Sequence, residues 1–125
     1  MVAQLLGELA ERGSEQLYNH VSKLRHGEAL WKSSERGDMT ANERAAGIEC
    51  AIDLLKEAED HRDVRYAARA KYQLSKAYWH LWKYTENDED LAKAVSKAQE
   101  AANLVFEPQY ISWYERIRQE NSHKP

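Results

Sequence analysis

The sequence predicts an all-α fold of antiparallel helical hairpins, and three observations carry that prediction. Seventeen Ala are spread along 125 residues, while Val, Ile and Thr together number eleven, too few β-branched side chains for a sheet protein. Only five Gly and two Pro interrupt the chain, so few breakers stand inside the helical patterns. Capping residues divide it into six helical segments joined by about two to six residues, and such short connections pair successive helices as antiparallel neighbours.

The first segment covers about Val2 to Glu11, with Val2, Leu5, Leu6 and Leu9 on one face and Gly13 placed to end it. Ser14 caps the second, about Glu15 to Arg36, whose stripe of Leu17, Val21, Leu24 and Trp31 runs to a stop at Gly37 and is weakened midway by Gly27 and Glu28. Thr40-Ala41-Asn42-Glu43 has capping-box spacing and opens the third, with Ala45, Ile48, Ala51, Ile52, Leu55 and Ala58 on one side. Asp63 caps the fourth, about Val64 to Tyr84. The acidic run Glu86-Asn87-Asp88-Glu89-Asp90 meets the positive end of the fifth, which buries Leu91, Ala94, Val95, Ala98, Ala101 and Val105. Pro108 suits the first turn of the sixth, whose face is Ile111, Tyr114 and Ile117, with Tyr110 and Trp113 partly off it as packing groups. The expected organisation is one domain over 1–125: an N-terminal helix at 1–13, hairpins at 14–60 and 63–105, and a capping helix at 107–120.

Eighteen basic and 21 acidic side chains leave a net charge of −3, which gives no whole-chain reason for a nucleic-acid or membrane partner. No apolar run approaches the roughly 18 residues of a membrane span. Met1 to Arg12 lacks the features of a signal peptide, so a cytoplasmic location is the default. Cys50 has no second Cys to bridge to and, among apolar neighbours, reads as a buried small hydrophobe. There is no Gly-rich phosphate loop, HExxH, paired Glu-x-x-His or Gly-x-Ser-x-Gly elbow, and His20, His26, His61, His80 and His123 lack ligand spacing. Neither an enzyme nor a metal or other cofactor is expected.

Shifting the chain by about 43 residues lays Ala51-Ile52 on Ala94-Val95 and Glu57-Ala58 on Glu100-Ala101. Leu74, Ser75 and Tyr78, followed by Ala94, Ala98 and Ala101, then resemble the two helices of a tetratricopeptide (TPR) repeat, with Pro108 two residues beyond the family's terminal Pro position. The arm between Tyr78 and Ala94 exceeds the usual repeat by about seven residues, so the chain looks like a long-armed variant of about 42 or 43 residues per unit. The resemblance covers roughly residues 15 to 119, and the earlier unit keeps its signature only in its second helix, through Ala51 and Ala58. It implies a short TPR-like solenoid in which the first helix of each unit lines a concave surface.

The fourth segment stands apart in charge. From His61 to Thr85 it carries Arg62, Arg65, Arg69, Lys71, Lys76 and Lys83 against Asp63, a net of +5 that leaves −8 for the remainder. The helical period puts Tyr66, Ala67, Ala70, Leu74, Ala77, Tyr78 and Leu81 on one side and Arg65, Arg69, Tyr72, Lys76, Trp79, His80 and Lys83 on the other. A solvated face explains the cations but not Trp79 and Tyr72, whose exposure costs hydrophobic free energy. The function expected is therefore a non-enzymatic adaptor or scaffold module that binds an acidic peptide or protein surface through this stripe. Two rivals use other partners: a nucleic acid on the same stripe, disfavoured by overall acidity, or a second copy in a homodimer that covers the end of the short stack.

Overall fold

The computed structural model describes residues 21–35 and 39–122. Among them the chain is all-α, with five helices and no strand: α1 (residues 21–33), α2 (Ala41–Ala58), α3 (Val64–Thr85), α4 (Asp88–Leu104) and α5 (Pro108–Ser122). The expected helix at about Val2 to Glu11, with Gly13, Ser14, Leu17 and Gly37, lies outside the described residues.

Local chemistry sets the boundaries. The hydroxyl of Thr40 accepts the Glu43 N–H at 3.2 Å, Asp63 accepts the Arg65 N–H at 2.9 Å, and Asn87 accepts the Glu89 N–H at 3.0 Å. Asp88, Glu89 and Asp90 occupy the first turn of α4, and α5 begins at Pro108. Helix α3 ends at Glu86, the one described non-glycine residue in the left-handed region, with φ 57°. Helix α1 stops at residue 33, short of the expected Gly37, where the hydroxyls of Ser33 and Ser34 both donate to the Leu30 carbonyl.

The contacts define two layers. Glu28, Trp31 and Glu35 of the α1 segment meet Arg69, Gln73 and His80 of α3, and Ser75 and Trp79 of α3 meet Trp113 and Glu120 of α5, so α1, α3 and α5 run side by side in one direction. Helices α2 and α4 run back along the other side: Lys23 pairs with Glu57, the Ser34 side chain abuts Gly47, and Ser75 donates to the Ala94 carbonyl. Close crossing of α1 and α2 depends on glycine, because a Cβ on Gly27 would sit 2.6 Å from Leu55 Cγ.

Ile48, Leu55, Leu74, Leu91 and Ile117 are fully buried, and Ala51, Ala70, Ala77, Ala94 and Ala98 let the helices approach closely around them. On the second layer's side, Glu59 accepts from both Lys71 and Lys97 while Lys71 also reaches Glu100, which ties α3 and α4 to the end of α2. Burial pushes the Glu59 carboxyl up, but the hydrogen bonds from Lys97 and Lys71 outweigh it and hold the group below its ordinary range.

Four sequence expectations change. Cys50 is exposed, because it lies two residues from Ile48 and so on the opposite side of α2. Tyr66 is 36% exposed, since it stands at the start of α3, where the His61 ring packs against it. Val95 and Val105 are half-buried and flank the α4 face instead of forming it. In α5 the core is reached by Tyr110, Trp113 and Ile117, while Ile111 and Tyr114 are half-buried.

Candidate functional site

The expected basic and aromatic stripe lies along α3 in the strip between α1 and α5, and the neighbours divide it into two halves. In the N-terminal half the cations are compensated. Arg65 pairs with Asp63 at 3.0 Å, and Arg69 makes two hydrogen bonds to Glu28, at 2.6 and 3.1 Å. The hydrogen bonds to Glu28 raise the Arg69 guanidinium above its ordinary range, so Arg69 stays charged. Glu28, which reads as a flaw in the α1 stripe, is buried because it serves this arginine.

The aromatic members are anchors. Tyr72 packs against Tyr110 with ring centroids 4.6 Å apart. Trp79 donates from Nε1 to Glu120 at 2.6 Å and meets the Trp113 ring edge-on at 5.6 Å. His80 lies between Trp31, stacked at 4.8 Å, and Trp79, edge-on at 4.9 Å. Its Nδ1 sits 2.8 Å from Glu35 Oε1. Burial pushes His80 below the ordinary histidine range; Glu35 opposes that shift, and Lys83 and Lys76 reinforce it.

In the C-terminal half the two lysines of the stripe rest on aromatic rings. Among the described residues Lys76 and Lys83 have no ion pair; Lys76 lies over the Tyr72 and Trp113 rings, at 4.9 and 5.2 Å, and Lys83 lies 4.5 Å over Trp79. Arg116 of α5 adds a third cation over Trp79 and Trp113, at 5.6 and 5.7 Å, and is 3.9 Å from Glu120. Three cations therefore converge on two indoles, a surface suited to carboxylates flanked by apolar groups.

All seven residues expected in the stripe lie on α3, yet Arg65 and Arg69 belong to neutral pairs and His80 is enclosed. Sequence reasoning missed Glu28 and Glu35 before α3 and Arg116 and Glu120 after it, and read Trp113 as a packing group. A signal existed in the spacing, because Glu28 to Arg69, Trp31 to Gln73 and Trp79 to Glu120 are separated by 41, 42 and 41 residues.

No described helix is long and apolar enough to cross a membrane, and no group of three or more His, Cys, Asp or Glu among the described residues can hold a metal ion. No family model matches the chain, and neither a curated protein nor a solved structure matches it.

Proposed function

We propose that the protein is a non-enzymatic interaction module, a short TPR-like helical stack that binds an acidic peptide on the C-terminal half of α3. The observation that carries this reading is the absence, among the described residues, of carboxylate partners at Lys76 and Lys83, which rest instead on Tyr72, Trp113 and Trp79. The repeat part of the reading is supported by α1, α3 and α5 running in one direction with hydrogen bonds 41 or 42 residues apart. Lys76 and Lys83 are two helical turns apart, about 10 Å along the axis. Carboxylates three residues apart in an extended peptide repeat at about the same distance, so the preferred ligand has the form Glu-x-x-Glu with an apolar residue between. A nucleic acid fits less well, because Arg65 and Arg69 are engaged by Asp63 and Glu28 and the line of available cations is short.

The test is fluorescence anisotropy with a labelled peptide of repeated Glu-Leu-Leu units, set against the same peptide with Lys for Glu. Wild type binds the acidic peptide and weakens with added salt. Lys76→Glu, and Lys83→Glu separately, each lower affinity by about tenfold or more with an unchanged helical circular-dichroism spectrum. Equal binding of the two peptides, or no loss in either variant, overturns the proposal.

A further inference from the structure

At the other end of the strip, two adjoining clefts open between the start of α3 and the start of α5. One, of about 270 Å³, is lined by Arg65, Tyr66, Arg69 and Tyr110; the other, of about 320 Å³, by Arg69, Tyr72, Gln73, Gln109 and Tyr110. Arg69 and Tyr110 are common to both.

Three of the groups at this place have hydrogen-bond donors to spare. Both oxygens of Glu28 accept from Arg69 Nε and Nη2, which leaves the Nη1 side of the guanidinium. Gln73 is only 7% exposed, and its Oε1 accepts the Trp31 indole N–H at 2.9 Å. That bond fixes the orientation of the amide, because an indole N–H needs an oxygen as its acceptor. The Nε2 of Gln73, which lines the cleft, has no hydrogen-bond partner among the described residues. The Tyr110 hydroxyl also has no partner there, and burial, with Glu107 adding to it, holds this phenol above its ordinary range and therefore protonated. Arg69, Gln73 and Tyr110, each with a donor to spare, line one cleft, while the Gln73 Oε1 and both oxygens of Glu28 are already used.

We infer that this cleft is a binding site for a small organic carboxylate, held by Arg69 Nη1, Gln73 Nε2 and the Tyr110 hydroxyl. An acceptor-only group satisfies all three donors, and a carboxylate is acceptor-only when ionised. Charge selects a monoanion over a phosphate dianion, since Arg69 is already balanced by Glu28 and Arg65 by Asp63. The larger cleft has the volume of about ten waters, which suits a ring-bearing acid that rests against tyrosine. Tyr72 borders both this cleft and Lys76, but the donors of Arg69, Gln73 and Tyr110 play no part in the acidic-peptide reading, which rests on Lys76 and Lys83, so either can fail without the other.

Titration of the ¹⁵N-labelled full chain with benzoate, benzamide and inorganic phosphate tests the inference through the Gln73 side-chain amide and Trp31 indole resonances. Benzoate moves both saturably, and benzamide, of the same shape without the charge, binds about tenfold or more weakly. Phosphate at the same concentration leaves both resonances in place. Gln73→Glu keeps an acceptor for Trp31 but replaces the donor with a charge, and it abolishes the benzoate shift at the Trp31 indole. Lys56→Glu, on the exposed side of α2 and away from both sites, leaves the benzoate affinity unchanged, and dispersed indole resonances show that each variant is folded. No saturable benzoate shift, benzamide binding as tight as benzoate, phosphate binding tighter than either, or retention of benzoate binding by Gln73→Glu would each overturn the assignment.

Discussion

Ser75 is a small side chain on which three helices depend. Its hydroxyl donates to the Ala94 carbonyl of α4 at 2.6 Å and accepts the Trp113 indole N–H of α5 at 2.7 Å, with no exposed surface. Ser75→Ala removes both bonds and leaves a buried indole N–H without a partner. We expect a loss of about 1–3 kcal/mol in stability, measured by urea denaturation; a change within a few tenths of a kcal/mol would show that water replaces the hydroxyl. From sequence, Ser75 is readable as a small residue at a helix crossing. Its hydrogen bonding is not, because its partners lie 19 and 38 residues away. Glu28 shows the same limit. Its neighbours in sequence make it look misplaced in an apolar stripe, and only Arg69, 41 residues on, explains it. Cys50 is the opposite case: its offset from Ile48 already places it on the outer side of α2, but the apolar character of adjacent residues suggests burial.

Among the elements, α3 is the one whose ends and faces were most legible. Asp63 caps it, and Ala67, Ala70, Leu74, Ala77, Tyr78 and Leu81 are buried as the period requires. Helical periodicity identifies which faces are apolar, and it cannot say which neighbour lies over a mixed face. The seven stripe residues therefore read as one surface, although the α1 segment supplies carboxylates to Arg69 and His80, and α5 supplies rings to Tyr72, Lys76 and Trp79 and Glu120 to Trp79. The α1–α2 pair shows a close approach set by glycine. A Cβ at Gly27 would stand 2.6 and 2.9 Å from Leu55 Cγ and Cδ2 and 3.2 Å from the Ala51 carbonyl oxygen. Helix propensity alone makes Gly→Ala stabilising by about 1 kcal/mol, but overpacking a filled core costs about 1–3 kcal/mol. With Leu55 fully buried, Gly27→Ala is expected to lower the thermal midpoint. A raised midpoint would mean that α1 shifts outward at no cost.

At the scale of the molecule, the polar contacts around His80 join three helices. Arg44 of α2 donates to the Tyr84 hydroxyl, Tyr84 donates to Glu35 at 2.7 Å, and Glu35 meets His80, which is held between Trp31 and Trp79. Because burial holds His80 below its ordinary 6.5, the folded chain takes up this proton less readily than the unfolded chain. The stability tied to neutral His80 is complete above that value and is lost as pH falls from it through the lower folded value. The thermal midpoint should therefore drop as pH falls below the ordinary histidine value, and His80→Gln should flatten that drop. An equal drop in the variant would assign the effect to other groups. Glu59 belongs to a more acid window, since its carboxyl lies below the ordinary 4.5 and its contribution is lost only as pH falls through that lower value.

The arrangement over Trp79 also has an optical consequence. Its indole N–H is bonded to Glu120, and Lys83 and Arg116 lie over the ring at 4.5 and 5.6 Å. The emission wavelength of an indole depends on the charges around it, so any event that lifts either cation from the ring or draws Glu120 away alters the fluorescence of this one side chain. With Trp31, Trp82 and Trp113 changed to Phe, the protein would carry its own spectroscopic probe at the point where α3 meets α5.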